Sequence, residues 1–478
     1  MSIGNSHFSR GWVLLVCLGA AGLFGGCASG SKSAEAGNPV FFPAPPEKPR
    51  LQFLRSFSGA ADLGAAGASG FEKFVLGEAE EKEGIVTPYG LAMFEGKLYV
   101  CDVGKRRVEV LDFQKRSFGY MTEDRRLVNP VNLCIEEDGT KYVADPTAGA
   151  VFVFDAGNTL QAILGKELRI NPIDVAVRGP YCYVTDFTSN QVVVLDKTTG
   201  KEIRRLGEQG TGENQFELIS DLTFGPDGRL YVTDKLKAKI FRFDPSGALQ
   251  GTIGRRGDNI DELVRPKGIA VDHDNRIWVV CAGVSIGASV WSTEVAKIYD
   301  QQGRLLLFFG RPGSEPGNTN LPAKIMLDYK HVDLFKPYAV KGANLEFLVF
   351  VSNQYGLKKI NVYGYGEFPA PSSAKPAAQP PVEKGAAPES ARPAEPAAAP
   401  GTGVQPGDDA AELQRTKETA DLYYRSMEQY RAGRLEEARA GFVRVIQSGL
   451  IPPPMEQTLK GYIEDIDGKL ARRRGVKR

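Results

Sequence analysis

Histidine is nearly absent from this chain of 478 residues, which has three: His7, His273 and His331. A metal centre built on several imidazoles, or a histidine-based triad, has little material to work with. Excess charge is lacking too. Lys plus Arg (59) and Asp plus Glu (58) leave a net +1, so no global field draws nucleic acid or a strongly acidic partner. The six cysteines form no CxxC pair and no CxxCH, which excludes c-type haem attachment and a short-range thiol motif. The apolar run from about Trp12 to Phe24 is too short and too glycine-rich for a comfortable membrane span. There is no nucleophile elbow, Gly-rich phosphate loop or paired-carboxylate motif, so no catalytic residue is assigned. Glycine (54) and proline (30) are plentiful, the mark of a chain with many turns.

The N-terminus reads "MSIGNSHFSRGWVLLVCLGAAGLFGGCASG", with Arg10 before the apolar run and Leu23-Phe24-Gly25-Gly26 before Cys27. Small residues just before a cysteine resemble the lipobox of bacterial lipoprotein signal peptides. The resemblance implies cleavage after residue 26 and a lipid on Cys27. It places the protein on the cell envelope, and Ala28 favours the outer membrane. Residues 27–48 then read as a tether. An even number in an oxidising compartment permits disulfides among Cys101, Cys134, Cys182 and Cys281; their place in apolar strand-like runs favours buried free thiols.

A stretch beginning "PYGLAMFEGKLYVCDVGKRRVEVLD" (88–112) recurs as "PVNLCIEEDGTKYVADPTAGAVFVFD", "PIDVAVRGPYCYVTDFTSNQVVVLD" and "ISDLTFGPDGRLYVTDKLKAKIFRFD". A fifth copy starts at Pro266, and a degenerate sixth is "LEFLVFVSNQYGLKKINVYG" (345–364). The aromatics that open the second element fall at Tyr99, Tyr142, Tyr183, Tyr231, Trp278 and Phe350. Most are spaced roughly 40–50 residues apart, each unit holding three or four short runs of period-2 alternation, which is propeller-blade chemistry. Pro-x-Gly-apolar-Ala-Val-Asp, apolar-Tyr-Val-x-Asp and Arg-Val-x-Val-apolar-Asp together resemble the NHL repeat over roughly residues 84–364. The resemblance implies an all-β six-bladed propeller, with boundaries 49–368. The last copy lacks its outermost strand, and "RLQFLRSFSG" (50–59) lies unattached before the first. A ring must remove its open edges, so this segment is expected to latch blade six.

Asp102, Asp145, Asp186 and Asp234 share one repeated position after a strand. A carboxylate there accepts N–H bonds from the turn, so these four read as structural. The neighbouring Lys105-Arg106-Arg107 reads as a solvated turn. Ligands of propellers usually meet the mouth of the channel, where the inner strands begin. That position holds Gly90, Asn132, Asp174, Asp221, Gly268 and Lys324. Asn132, Asp174 and Asp221 could hold a divalent cation or a polar ligand, or could serve only as turn residues. Some NHL-like propellers are lactonases, amidating lyases or strictosidine-synthase relatives. Asn132 and Asp174 imitate part of a lactonase set, and no first-blade glutamate completes it. Two insertions break the repeat. One brings Trp291; the other brings Tyr329, Phe335 and Tyr338. Together they are candidates for a partner-binding lip, the alternative being loops packed on their own blades.

Residues 369–409 are Pro/Ala-rich with almost no large apolar residue, and read as an extended linker able to reach on the order of 100 Å. Helical spacing follows: Tyr423, Met427 and Tyr430 on one face, then Gly433, Ala438, Phe442 and Val445. This resembles one tetratricopeptide repeat (TPR), with Pro452, Pro453 and Pro454 ending its second helix and a third helix after them. Residues 410–478 thus form a small α-helical TPR-like domain with a basic tail. One repeat cannot bury its face alone, so it self-associates, uses the third helix or docks on a partner. The assembled expectation is an envelope-anchored protein-binding scaffold. NHL lipoproteins of metal-respiring bacteria, which the chain resembles, are associated with multihaem cytochromes, implying such envelope partners and no nucleic acid. The alternative is a metal-assisted lactonase or hydrolase at the channel mouth.

Overall fold

The computed structural model describes residues 38–64, 84–257, 259–282, 294–369, 422–423, 425–426, 429–430, 434–449 and 453–475. The segment expected to be a signal peptide, Cys27, Trp291, nearly all of the expected linker and the extreme basic tail lie outside these residues.

Six antiparallel sheets form a six-bladed β-propeller. In blades one to five the strands follow chain order from the channel outward, as in blade three: Pro172–Arg178, Tyr181–Asp186, Gln191–Asp196 and Glu202–Leu206. Adjacent inner strands abut around the ring, and that of blade six (Pro322–Asp328) meets that of blade one (Pro88–Phe94).

Leu51–Phe57 closes the ring by running antiparallel to Ile360–Glu367, with Leu51 opposite Tyr365 and Phe57 opposite Ile360. Phe41–Phe42 then adds a fifth strand to blade six, pairing with Gln52 and Leu51. The sequence reading had assigned these two residues to the tether. Phe42 packs 6.0 Å from Phe309 of blade five, and Phe41 packs 5.4 Å from Phe368. Burial of those rings is what recruits the segment.

The core consists of seams between neighbouring blades. Strand residues alternate, and both faces of a blade are covered, so middle strands are apolar on both sides. Val192, Val193, Val194 and Leu195 are all fully buried, each side chain contributing roughly 1.5–3 kcal/mol. The connections into blades four, five and six share a loop that the sequence reading passed over. Each carries a parallel bridge, Gln209 with Phe216, Arg256 with Leu263 and Pro312 with Thr319. Gly207 opens the first with φ +76°, and a Cβ there would lie 2.1 Å from the Phe216 ring. Glycine is required at that position on both counts.

In the C-terminal part, α1 (Leu435–Gln447) and α2 (Pro453–Gly475) pack with the helical residues around Tyr423 and Tyr430. Phe442 stacks on Tyr462 at 5.5 Å, over buried Ala438, Val445, Leu459 and Ile466. Tyr355, from the blade-six turn, packs against this core, and the Gly356 N–H donates to the Tyr462 hydroxyl.

Candidate functional site

The inner strands bring six equivalent positions around one end of the channel. Where the residue is glycine, the neighbouring strand fills the space. A Cβ on Gly90 would sit 2.5 Å from Asn132 Cα, and one on Gly268 would sit 2.6 Å from Lys324 Cα. The polar residues converge. Lys324, of blade six, extends its ammonium to Asp174 Oδ2 of blade three at 3.2 Å and Asp221 Oδ1 of blade four at 2.6 Å. Asn132 Nδ2 of blade two donates to the same Asp221 oxygen at 3.2 Å. Backbone N–H groups complete the set: Leu222 to Asp174 Oδ2 (2.9 Å), Val175 to Asp174 Oδ1 (2.9 Å) and Ile269 to Asp221 Oδ2 (2.7 Å).

All four side chains are buried, so the charges interact through a medium much poorer than water. Burial and the adjacent Asp174 carboxylate push the Asp221 carboxyl well above the usual range, against the pull of Lys324. For Lys324, burial alone would lower the ammonium; Asp174 and Asp221 outweigh it and hold it above its ordinary value. The Tyr89 phenol is raised, first by burial and then by Asp221 and Asp174. The ammonium therefore stands among the oxygens that a hard cation would need. Among the described residues no cluster of three or more His, Cys, Asp or Glu is arranged to hold a metal ion. On the far side of this ring is a cavity of about 480 Å³, walled by the inner strands and rimmed by His273 stacked on Tyr329 at 3.7 Å.

The repeated aspartates do a different job. Asp102 accepts from Gly104 N (3.0 Å) and Lys105 N (3.2 Å) in its own turn. It also accepts from Val86 N (2.6 Å) and Thr87 N (2.9 Å) in the incoming connection. Asp145, Asp186 and Asp234 repeat the arrangement with Val128, Asn171 and Glu217. Blade six has Asn353 there, with one acceptor oxygen instead of two. It takes Asn320 N (3.1 Å), and Glu294 of blade five takes the orphaned Leu321 N (3.0 Å). Burial pushes the Glu294 carboxyl up to about 7, against the Leu321 N–H and the Lys267 ammonium.

The four thiols Cys101, Cys134, Cys182 and Cys281 are unpaired, and burial raises each above its ordinary value.

Of the expected aromatic lip, Trp291 lies outside the described residues, and the blade-six part can be placed. Cys281 and Val295, which bracket the Trp291 insertion, pair with each other at the end where inner strands begin. The Tyr329–Ala343 insertion hangs between the first and second strands of blade six, at the opposite end. Phe335 is 1% exposed, with Phe57, Phe113 and Phe350 around it at 5.1–6.1 Å. It is a core residue under the closing strand. Tyr338 is exposed, and its hydroxyl accepts from Arg55 Nη1 at 2.7 Å.

A family model described as a 6-bladed beta-propeller matches residues 213–286. WD repeat-containing protein 1 of Bos taurus is 25% identical over 132 residues, 28% of this chain; the match spans only 19% of that protein's length. A protein of unknown function from Bacteroides thetaiotaomicron superposes with TM-score 0.45 at 14% identity, over 66% of this chain and 75% of that one. A gluconolactonase from Xanthomonas campestris does so with TM-score 0.44 at 13% identity, over 69% of this chain and 98% of that one.

Proposed function

We propose that the protein is a lipid-anchored binding or scaffold propeller of the bacterial cell envelope, held to the outer membrane through Cys27. In this reading the TPR-like helices and the propeller together engage an envelope protein, of the kind that serves extracellular electron transfer with multihaem cytochromes. The observation that carries it is the Lys324 ammonium among Asn132, Asp174 and Asp221. Those side chains spend their polar atoms on one another and on backbone, which leaves little for substrate activation. The Tyr355 and Tyr462 contacts support a second module working beside the propeller.

The test is purification from native membranes of the full chain and of a chain ending at Phe368, with radiolabelled palmitate in the culture. Label lost in Cys27→Ser, with a partner retained by the full chain alone, is the expected result. Unlabelled protein and no partner with either chain would overturn the reading. The alternative, a lactonase or hydrolase using a cation at Asn132, Asp174 and Asp221, rests on the convergence of those three residues. It requires the ion to displace Lys324.

A further inference from the structure

The basic run after Asp102 is more than a solvated turn. Lys105, Arg106 and Arg107 form one wall of a cleft of about 250 Å³ whose other wall is Tyr120–Leu127, the connection from blade one to blade two. Beneath it lies Glu109, whose side chain is 0% exposed. Its Oε1 accepts from Arg107 Nε at 2.9 Å and pairs with Lys105 Nζ at 3.2 Å. Its Oε2 has no partner among the described residues. The other blades supply an internal control. Glu109 pairs in register with Val100; the residues in register with the matching valines are Phe152, Val193, Phe241, Lys297 and Asn361. Three blades thus fill this place with an apolar side chain. Burying a carboxylate there costs free energy that packing alone would not justify.

What the carboxylate does is fix Arg107. The guanidinium is held at Nε by Glu109 and lies over the Tyr120 ring, 5.0 Å from its centroid. Tyr120 is the cross-strand neighbour of Glu109. The two terminal nitrogens of Arg107 make no hydrogen bond among the described residues, nor do the side chains of Arg106 and Arg125, which share the cleft. The acids on the rim are committed elsewhere: Glu123 accepts from the Tyr120 hydroxyl at 2.8 Å, and Asp124 holds Arg126 at 2.6 Å. We propose that this cleft binds a phosphate monoester, its dianionic oxygens taken by the Arg107 fork with Arg106 and Arg125 closing over them. A pre-set planar fork suits a tetrahedral oxyanion better than a diffuse positive surface does.

The probe is inorganic phosphate, titrated calorimetrically into the full chain at low salt. Saturable binding is expected, weakened about tenfold in Arg107→Lys, which keeps the charge and loses the fork, and at least as much in Arg107→Gln, which loses both. Arg125→Gln, an exposed change that leaves the fold alone, weakens it as well, whereas Arg304→Gln, an exposed arginine of blade five outside the cleft, leaves it unchanged. A second arm uses phosphatidylcholine vesicles with and without phosphatidic acid. Sedimentation that requires phosphatidic acid and falls in Arg125→Gln identifies a lipid headgroup as the source. Phosphate binding without it identifies a soluble phosphate ester. Equal weakening by Arg304→Gln and Arg125→Gln, or no saturable binding in either arm, overturns the proposal.

Discussion

Asp221 and Asp234 lie on neighbouring strands of blade four and have opposite careers. Asp234 takes four backbone N–H groups, from its own turn and from the connection that enters the blade. Asp102 takes four as well, and Asp145 and Asp186 three each, in their own blades. Asp221 takes its partners from blades two, five and six. A carboxylate that recurs is a local clamp. One confined to blades three and four, as Asp174 and Asp221 are, ties distant parts of the ring together. The same contrast separates Glu109 from the apolar residues at the matching position of three other blades, and Asn353 from the aspartates it replaces. In the last case the missing oxygen is made good by Glu294 of the neighbouring blade.

Four perturbations would break or sharpen this contrast. The largest effect is expected for Lys324→Met, which leaves two buried carboxylates without their ammonium and costs about 3–5 kcal/mol by urea unfolding. The sign of its pH dependence follows from Asp221. A carboxyl raised in the folded state contributes stability that is full below its unfolded pKa and is lost as pH rises through the folded one. In Lys324→Met the unfolding midpoint should therefore recover as pH falls toward 4. Asp234→Ala orphans four N–H groups of one blade and should cost about 2–3 kcal/mol in the same unfolding curves. Gly268→Ala forces a Cβ against the Lys324 backbone and should cost about 1–2 kcal/mol, read from the same unfolding curves. The smallest effect is a slope. The Glu294 carboxyl, at about 7 in the folded protein against an ordinary 4.5, gives stability that fades as pH rises from 4.5 through 7. Glu294→Gln should flatten the thermal midpoint across that window and leave the rest of the profile unchanged.

Much of the ring was legible in the sequence because a blade is a local object. Pro-x-Gly, Tyr-Val-x-Asp and the trailing aspartates announce strands and turns within some forty residues of one another. The position of Asn132, Asp174, Asp221 and Lys324 at one end of the channel followed from the same register. Their partnership did not. It depends on which blades face each other across the ring and on the reach of one lysine, neither of which leaves a mark in a single repeat. The burial of Phe335 was not legible for a related reason: it depends on Phe57 of the closing strand and Phe113 of blade one, which no local pattern records. Phe41–Phe42 was missed because two residues carry no periodicity; their burial against Phe309 and Phe368 decides their place.

The central claim is that Lys324 fills the place a cation would take. Calcium and zinc titrated separately into the wild-type chain test it most directly, with Asn132→Ala and Asp174→Ala run alongside. The account predicts no stoichiometric ion in the wild type and no difference between it and either variant. One tightly held divalent ion per chain, lost in both variants, would contradict it and move the protein toward the hydrolase reading.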